Sequence, residues 1–165
     1  MLYAILILIL ALVLILLVRT YNFKPRQNAE IIEEEINFDK DKSVKTLQEL
    51  VRFKTVSYKE PELENEKEFD KLVNALPKLY PSVFKVCTLE LSEERGLLFL
   101  WKGKKHDAPS VMMAHYDVVP VNESGWEKEP FSAELIDGVV WGRGTLDTKA
   151  TMNGILSAAE ALIKE

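Results

Sequence analysis

The sequence predicts an α/β layered domain preceded by a single transmembrane helix. Three observations carry this. Helix-period apolar patterns alternate with short apolar strand patterns along the chain. The first stretch, Leu2–Val18, is an unbroken run of uncharged, apolar residues. The composition, 47% apolar and 28% charged over 165 residues, supports a packed core even though the N-terminal run inflates the apolar share. Net charge is −5, and no basic stripe is interleaved with aromatics, so no nucleic-acid partner is expected. The single cysteine, Cys87, cannot form an intrachain disulfide. Its alternating apolar surroundings read as a buried structural thiol.

At about 1.5 Å per residue, Leu2–Val18 reaches about 26 Å, close to a bilayer core of about 30 Å. Arg19, Tyr21, Lys24 and Arg26 follow as an interfacial belt would. A cleaved signal peptide is the competing reading, but the start is not basic and no small-x-small site follows the core. A core helix of a soluble domain fits poorly, because the run is apolar on every face. Residues 1–21 are therefore expected to be a single-pass membrane anchor, with a signal sequence as the alternative. Residues 22–38 read as a polar tether carrying Glu33–Glu34–Glu35, and residues 39–165 as the folded domain. Basic residues lie only C-terminal to the span, which by itself keeps the domain cytoplasmic.

In the domain, Val44, Leu47, Leu50, Val51 and Phe53 recur at helical spacing, with Asp39, Asp41 and Ser43 as possible caps. The spacing predicts a helix over Lys40–Phe53, ended by Thr55–Val56–Ser57. A second helix is predicted over Glu62–Leu79, with Leu63, Phe69, Leu72, Val73 and Leu76 inward and Pro77 at its end. Phe84–Leu91 alternates as a strand, and Gly96–Trp101 forms another, closed by Gly103. Lys104–Lys105–His106–Asp107 is a polar turn in which His106 reads as a solvated histidine. Ser110–Ala114 is a continuous apolar run, as in a central strand covered on both faces. Leu135–Trp141 reads as a hairpin turning at Asp137–Gly138. Thr148–Lys164 reads as a helix with Met152, Ile155, Leu156, Ala159 and Leu162 on one face. Glu160 and Glu165 fall on its solvated side.

The chemistry-bearing residues sit where strands end. His115 follows the Ser110–Ala114 run, and Asp147 follows the hairpin. Two such junctions can converge at one sheet edge, where α/β folds bind ligands. Imidazole and carboxylate together are a zinc-type donor set. A lone histidine after a strand is usually structural. Asp117, two residues on, can turn back to the imidazole and fix its tautomer, as partners of metal-binding histidines do. Gly142–Arg143–Gly144 ahead of a helix could also cradle a phosphate, but the chain lacks both the Lys-Ser/Thr pair and the full Gly-x-Gly-x-x-Gly.

His115–Tyr116–Asp117–Val118–Val119–Pro120, Gly125–Trp126, Pro130–Phe131, Asp137–Gly138 and Gly142–Arg143–Gly144–Thr145–Leu146–Asp147–Thr148–Lys149 occur in that order. This series resembles the zinc metallopeptidase superfamily of carboxypeptidase S, aminoacylase, acetylornithine deacetylase and succinyl-diaminopimelate desuccinylase. It is most similar to the carboxypeptidase S and N-acyl-amino-acid amidohydrolase branch. The resemblance runs from about Lys40 to Lys164 and implies the N-terminal portion of a three-layer α/β/α zinc-peptidase catalytic domain. It implies His115 as a terminal ligand of one zinc, Asp147 as a carboxylate bridging two zinc ions, and Asp117 as the catalytic-site residue orienting His115. Cobalt or manganese could substitute for zinc. A cis peptide is implied at Asp147–Thr148. The family's Gly after the lysine is Ala150 here, which leaves the local backbone geometry open.

The function the resemblance implies is metal-dependent hydrolysis of an amide bond, in a peptide or N-acyl amino acid, by a water activated between two metals. In the family, the general base, the remaining ligands and a lid domain able to form a homodimer lie downstream of the matched region. This chain is therefore expected to be truncated and inactive alone. The alternative is a catalytically incompetent membrane-anchored fragment. Related anchored members face a lumen or the exterior, against the charge pattern, so the side of the membrane stays open.

Overall fold

A computed structural model describes residues 2–24, 38–92, 95–105 and 108–164. Most of the tether, the turn residues His106 and Asp107, and Glu165 lie outside the described residues. Helix α1 spans Leu2–Tyr21 and is exposed along its whole length. It is long and apolar enough to cross a membrane.

The rest of the chain opens with α2, Lys40–Arg52, whose N-terminus is capped by Asp39 accepting from the Lys42 amide at 2.9 Å. A 3₁₀ turn at Pro61–Leu63 precedes α3, Glu66–Leu79. The helix thus starts four residues later than expected, and Leu63 faces solvent rather than the core. The turn uses Pro61 at its first position, which a proline tolerates. Phe69, Leu72 and Leu76 do point inward. Pro77 is accommodated in the last turn, and the helix ends at Leu79.

The expected strand from Phe84 is half wrong. Pro81–Val86 is a short helix, α4, and only Thr88–Leu91 forms a strand, β1. The cause is tertiary. The Glu160 carboxylate accepts from the Ser82 amide (2.7 Å), the Ser82 hydroxyl (2.8 Å) and the Val83 amide (3.1 Å). Those first-turn donors have no partner inside the helix, so a carboxylate there stabilises it. Glu160 is therefore buried, not solvated as its place on the helix suggests. Cys87 is only partly buried, packed against the core.

Leu97–Leu100 forms β2, antiparallel to β1 with Leu89 opposite Phe99. Leu135–Ile136 (β3) and Val139–Val140 (β4) form the hairpin, turning through Asp137 (φ 50°) and Gly138 (φ 80°). Two positive φ values in sequence suit Asp-Gly and match the strand twist. The last helix, α5, spans Ala150–Leu162 and starts two residues later than expected, because Asp147 and Thr148 are non-helical. Ala150 takes φ −64°, ψ −41°, where a methyl fits as well as a glycine. Met152 and Leu156 are buried, whereas Leu162 is exposed.

The core lies among α2, α3, α4 and α5: Leu50, Leu72, Leu76, Tyr80, Val83, Met152 and Leu156. Inside it, the Tyr80 hydroxyl donates to Asn153 Oδ1 at 2.8 Å, and Asn153 Nδ2 donates to the Ser43 carbonyl at 3.1 Å. The fold is mixed helix and strand. Ser110–Ala114 is the clearest departure. It forms no ladder among the described residues, and Val111, Met112 and Met113 are 77%, 71% and 83% exposed. A run apolar on both faces becomes a central strand only where neighbours pair with it and layers cover it.

Candidate metal centre

The loop after α2 pairs with the segment carrying His115. The Ser57 amide donates to the Val118 carbonyl at 2.9 Å, and the Val118 amide donates to the Thr55 carbonyl at 2.8 Å, a parallel bridge between Val56 and Val118. The Thr55 hydroxyl donates to the Tyr116 carbonyl at 2.6 Å. Tyr116 is held from the other side, its hydroxyl donating to the Arg95 carbonyl at 2.6 Å. His115–Asp117 is thus fixed through its backbone at Tyr116 and Val118.

The second loop is shaped by two glycines. Gly144 takes φ +81°, and a Cβ there would lie 2.4 Å from Val118 Cγ1. A Cβ on Gly142 would lie 2.5 Å from Val51 Cγ1. No side chain fits either place without displacing the neighbour. Between them, the Arg143 amide donates to the Pro130 carbonyl at 2.7 Å, and its guanidinium lies over Trp126. The Asp147–Thr148 peptide that follows is cis, as the resemblance implies.

These loops bring His115, Asp117 and Asp147 together. His115 Nδ1 donates to the Asp117 carbonyl at 3.0 Å and lies 3.1 Å from Asp117 Oδ1. His115 Nε2 lies 3.1 Å from Asp147 Oδ1. Both partners of Nδ1 are acceptors, so Nδ1 carries the proton. Nε2 also faces an acceptor, so either a second ring proton or a metal cation sits between it and Asp147 Oδ1. Partial burial opposes charge on the imidazole. The Asp117 carbonyl and the Asp147 and Asp117 carboxylates outweigh it and raise His115 above its ordinary value. The Asp147 side chain is 84% exposed, so no packing restricts its carboxylate. No cluster of three or more His, Cys, Asp or Glu side chains with metal-binding geometry occurs among the described residues.

Two neighbours escaped the sequence reading. Thr148 bonds to the backbone of His115 in both directions. Lys149 is fully buried, with Nζ donating to the carbonyls of Leu50 (2.9 Å) and Phe53 (2.7 Å) at the C-terminus of α2. Burial pushes its ammonium down to about 8, against the pull of Asp117 and Glu68. Thr148 and Lys149 both close the Gly142–Lys149 motif, which by itself gave neither side chain a role.

Residues 111–165 match the family described as Peptidase family M20/M25/M40. Among curated relatives, an N-fatty-acyl-amino acid synthase/hydrolase of Xenopus tropicalis is 35% identical over 90% of this chain and 30% of its own length. The human protein of that name is 40% identical over 58% of this chain and 19% of its own. Carboxypeptidase S of Saccharomyces cerevisiae is 36% identical over 75% of this chain and 23% of its own. The chain spans less than a third of the length of these relatives.

Proposed function

The chain carries the N-terminal part of an M20 peptidase domain and is by resemblance a hydrolase, and on that premise we propose that His115 and Asp147 are two donors of its metal centre. The observation that carries this is the 3.1 Å approach of His115 Nε2 to Asp147 Oδ1 while Asp117 occupies Nδ1. Imidazole and carboxylate fit zinc, with cobalt or manganese as substitutes. When bound, a pair of such ions activates a water and polarises the scissile carbonyl.

In this reading each residue has a separate task. Asp117 holds the Nδ1 proton and thereby keeps the Nε2 lone pair free. Asp147 is open to solvent and able to reach two ions. Gly142 and Gly144 bring its loop against Val51 and Val118. The three-layer α/β/α catalytic domain is the architecture these elements belong to. The substrate is an amide, of a peptide or an N-acyl amino acid. The relatives' names, carboxypeptidase and N-fatty-acyl-amino acid hydrolase, support both classes. Helix α1 anchors the chain in a membrane.

A second reading is a membrane-held chain without catalysis. Zinc titration of the detergent-solubilised chain, with hydrolysis assays on N-acyl amino acids and dipeptides, separates the two. Zinc uptake lost in His115→Ala and Asp147→Ala supports the donor assignment. Unchanged uptake in both sinks it. Turnover would remove the non-catalytic reading.

A further inference from the structure

We propose that Thr148 is a positioning residue that sets the separation of the two metal donors. One hydroxyl makes the link. Thr148 Oγ1 accepts from the His115 amide at 3.0 Å and donates to the His115 carbonyl at 2.8 Å. A hydroxyl has one proton to give and lone pairs to receive, so a single backbone residue satisfies it in both directions. Thr148 directly follows Asp147, and His115 lies 33 residues upstream. The two donor residues are therefore clasped backbone to side chain, independently of any bound ion.

The neighbouring Tyr116 and Val118 bond to the loop after α2, but among the described residues the His115 amide and carbonyl themselves bond only to Thr148 Oγ1. The donor side chains are half exposed or more, so packing does not restrain them. The β-branched side chain of threonine has few χ1 choices, so its hydroxyl is aimed before any metal arrives. The inference deepens the donor reading above and rests on it for its metal-binding part. The clasp itself stands on the two hydrogen bonds.

The test uses the whole chain in detergent, with two readouts. The first is cobalt(II) titration followed by the ligand-field absorption spectrum. The second is hydrogen exchange at the His115 amide without metal. Thr148→Val keeps the shape and removes both hydrogen bonds. It should weaken cobalt binding by roughly tenfold or more, the range for partners that orient ligands, shift the ligand-field bands, and speed His115 exchange. Thr148→Ser should restore both readouts to near those of the unsubstituted chain. Thr148→Ala replaces the valine variant should that fail to fold by circular dichroism. Cobalt affinity, bands and exchange all unchanged in a folded Thr148→Val or Thr148→Ala chain would overturn the proposal. No cobalt uptake by the unsubstituted chain would instead overturn the donor reading. In that case a His115 amide protected in the unsubstituted chain and fast in Thr148→Val supports the clasp, and one equally fast in both overturns it.

Discussion

Lys149 places its ammonium against the carbonyl of Leu50, a residue 99 positions earlier, at 2.9 Å in a fully buried setting. With Phe53 it ends α2 on a positive charge, where the helix dipole is negative. It also moors the loop of Asp147 to the core. Lys149→Met keeps the stem and leaves both carbonyls without a donor. It should destabilise the domain by about 1–3 kcal/mol, the penalty for buried polar groups left unpaired. Urea unfolding measures this, and a loss under half a kcal/mol would show that water replaces the ammonium.

Glu160 gives the pH dependence. Burial works to raise its carboxyl, but hydrogen bonds from Lys164, the Ser82 hydroxyl and the Val83 and Ser82 amides outweigh it and hold it below the ordinary carboxylate value. A depressed folded value means stability that is full above the unfolded value, about 4.3, and lost as pH falls through the folded one. Glu160→Gln should therefore unfold about 1–2 kcal/mol more easily at pH 7. The gap should narrow as pH falls below the unfolded value and close only once pH is below the lower, folded one. A gap independent of pH would mean that ionisation is not what Ser82 and Val83 respond to.

Asp117 supports His115 twice, through its carbonyl at 3.0 Å and its carboxylate at 3.1 Å. Substitution removes only the carboxylate. Asp117→Ala should therefore weaken zinc binding by about tenfold, the low end of the range for such partners. Competition with a chromophoric chelator measures it. A loss as complete as that of His115→Ala would make Asp117 a ligand in its own right.

Helix α1 should hold the chain in membranes through carbonate extraction, and deletion of residues 2–21 should release it. Mature protein beginning within residues 22–38 would identify the segment as a cleaved signal.

The parts legible in the sequence were those whose cause is local. Asp39 caps α2, and Asp137–Gly138 turns its hairpin, because the residue types demand it. Phe69, Leu72 and Leu76 share a face because 3.6-residue periodicity puts them there. What failed depended on distant partners. α4 exists where alternation suggested a strand because Glu160 reaches back 78 residues to Ser82. Val111–Met113 reads as a core strand only if neighbours are present to pair with it. At the centre, motif order drew attention to His115, Asp117 and Asp147. No pattern of residue types distinguishes a threonine hydroxyl that clasps a backbone from one that meets water.

The ties that join the centre to the helical core and to its second loop are long in sequence: 33 residues from His115 to Thr148, 61 from Thr55 to Tyr116, 99 from Leu50 to Lys149. Closing such loops opposes chain entropy, so each of these ties costs more to form than a hydrogen bond between near neighbours. His115 and Asp147 are exposed and hang on a few hydrogen bonds, so they part while the helices still hold. Warming or mild denaturant should thus separate His115 from Asp147 well before the helices unfold.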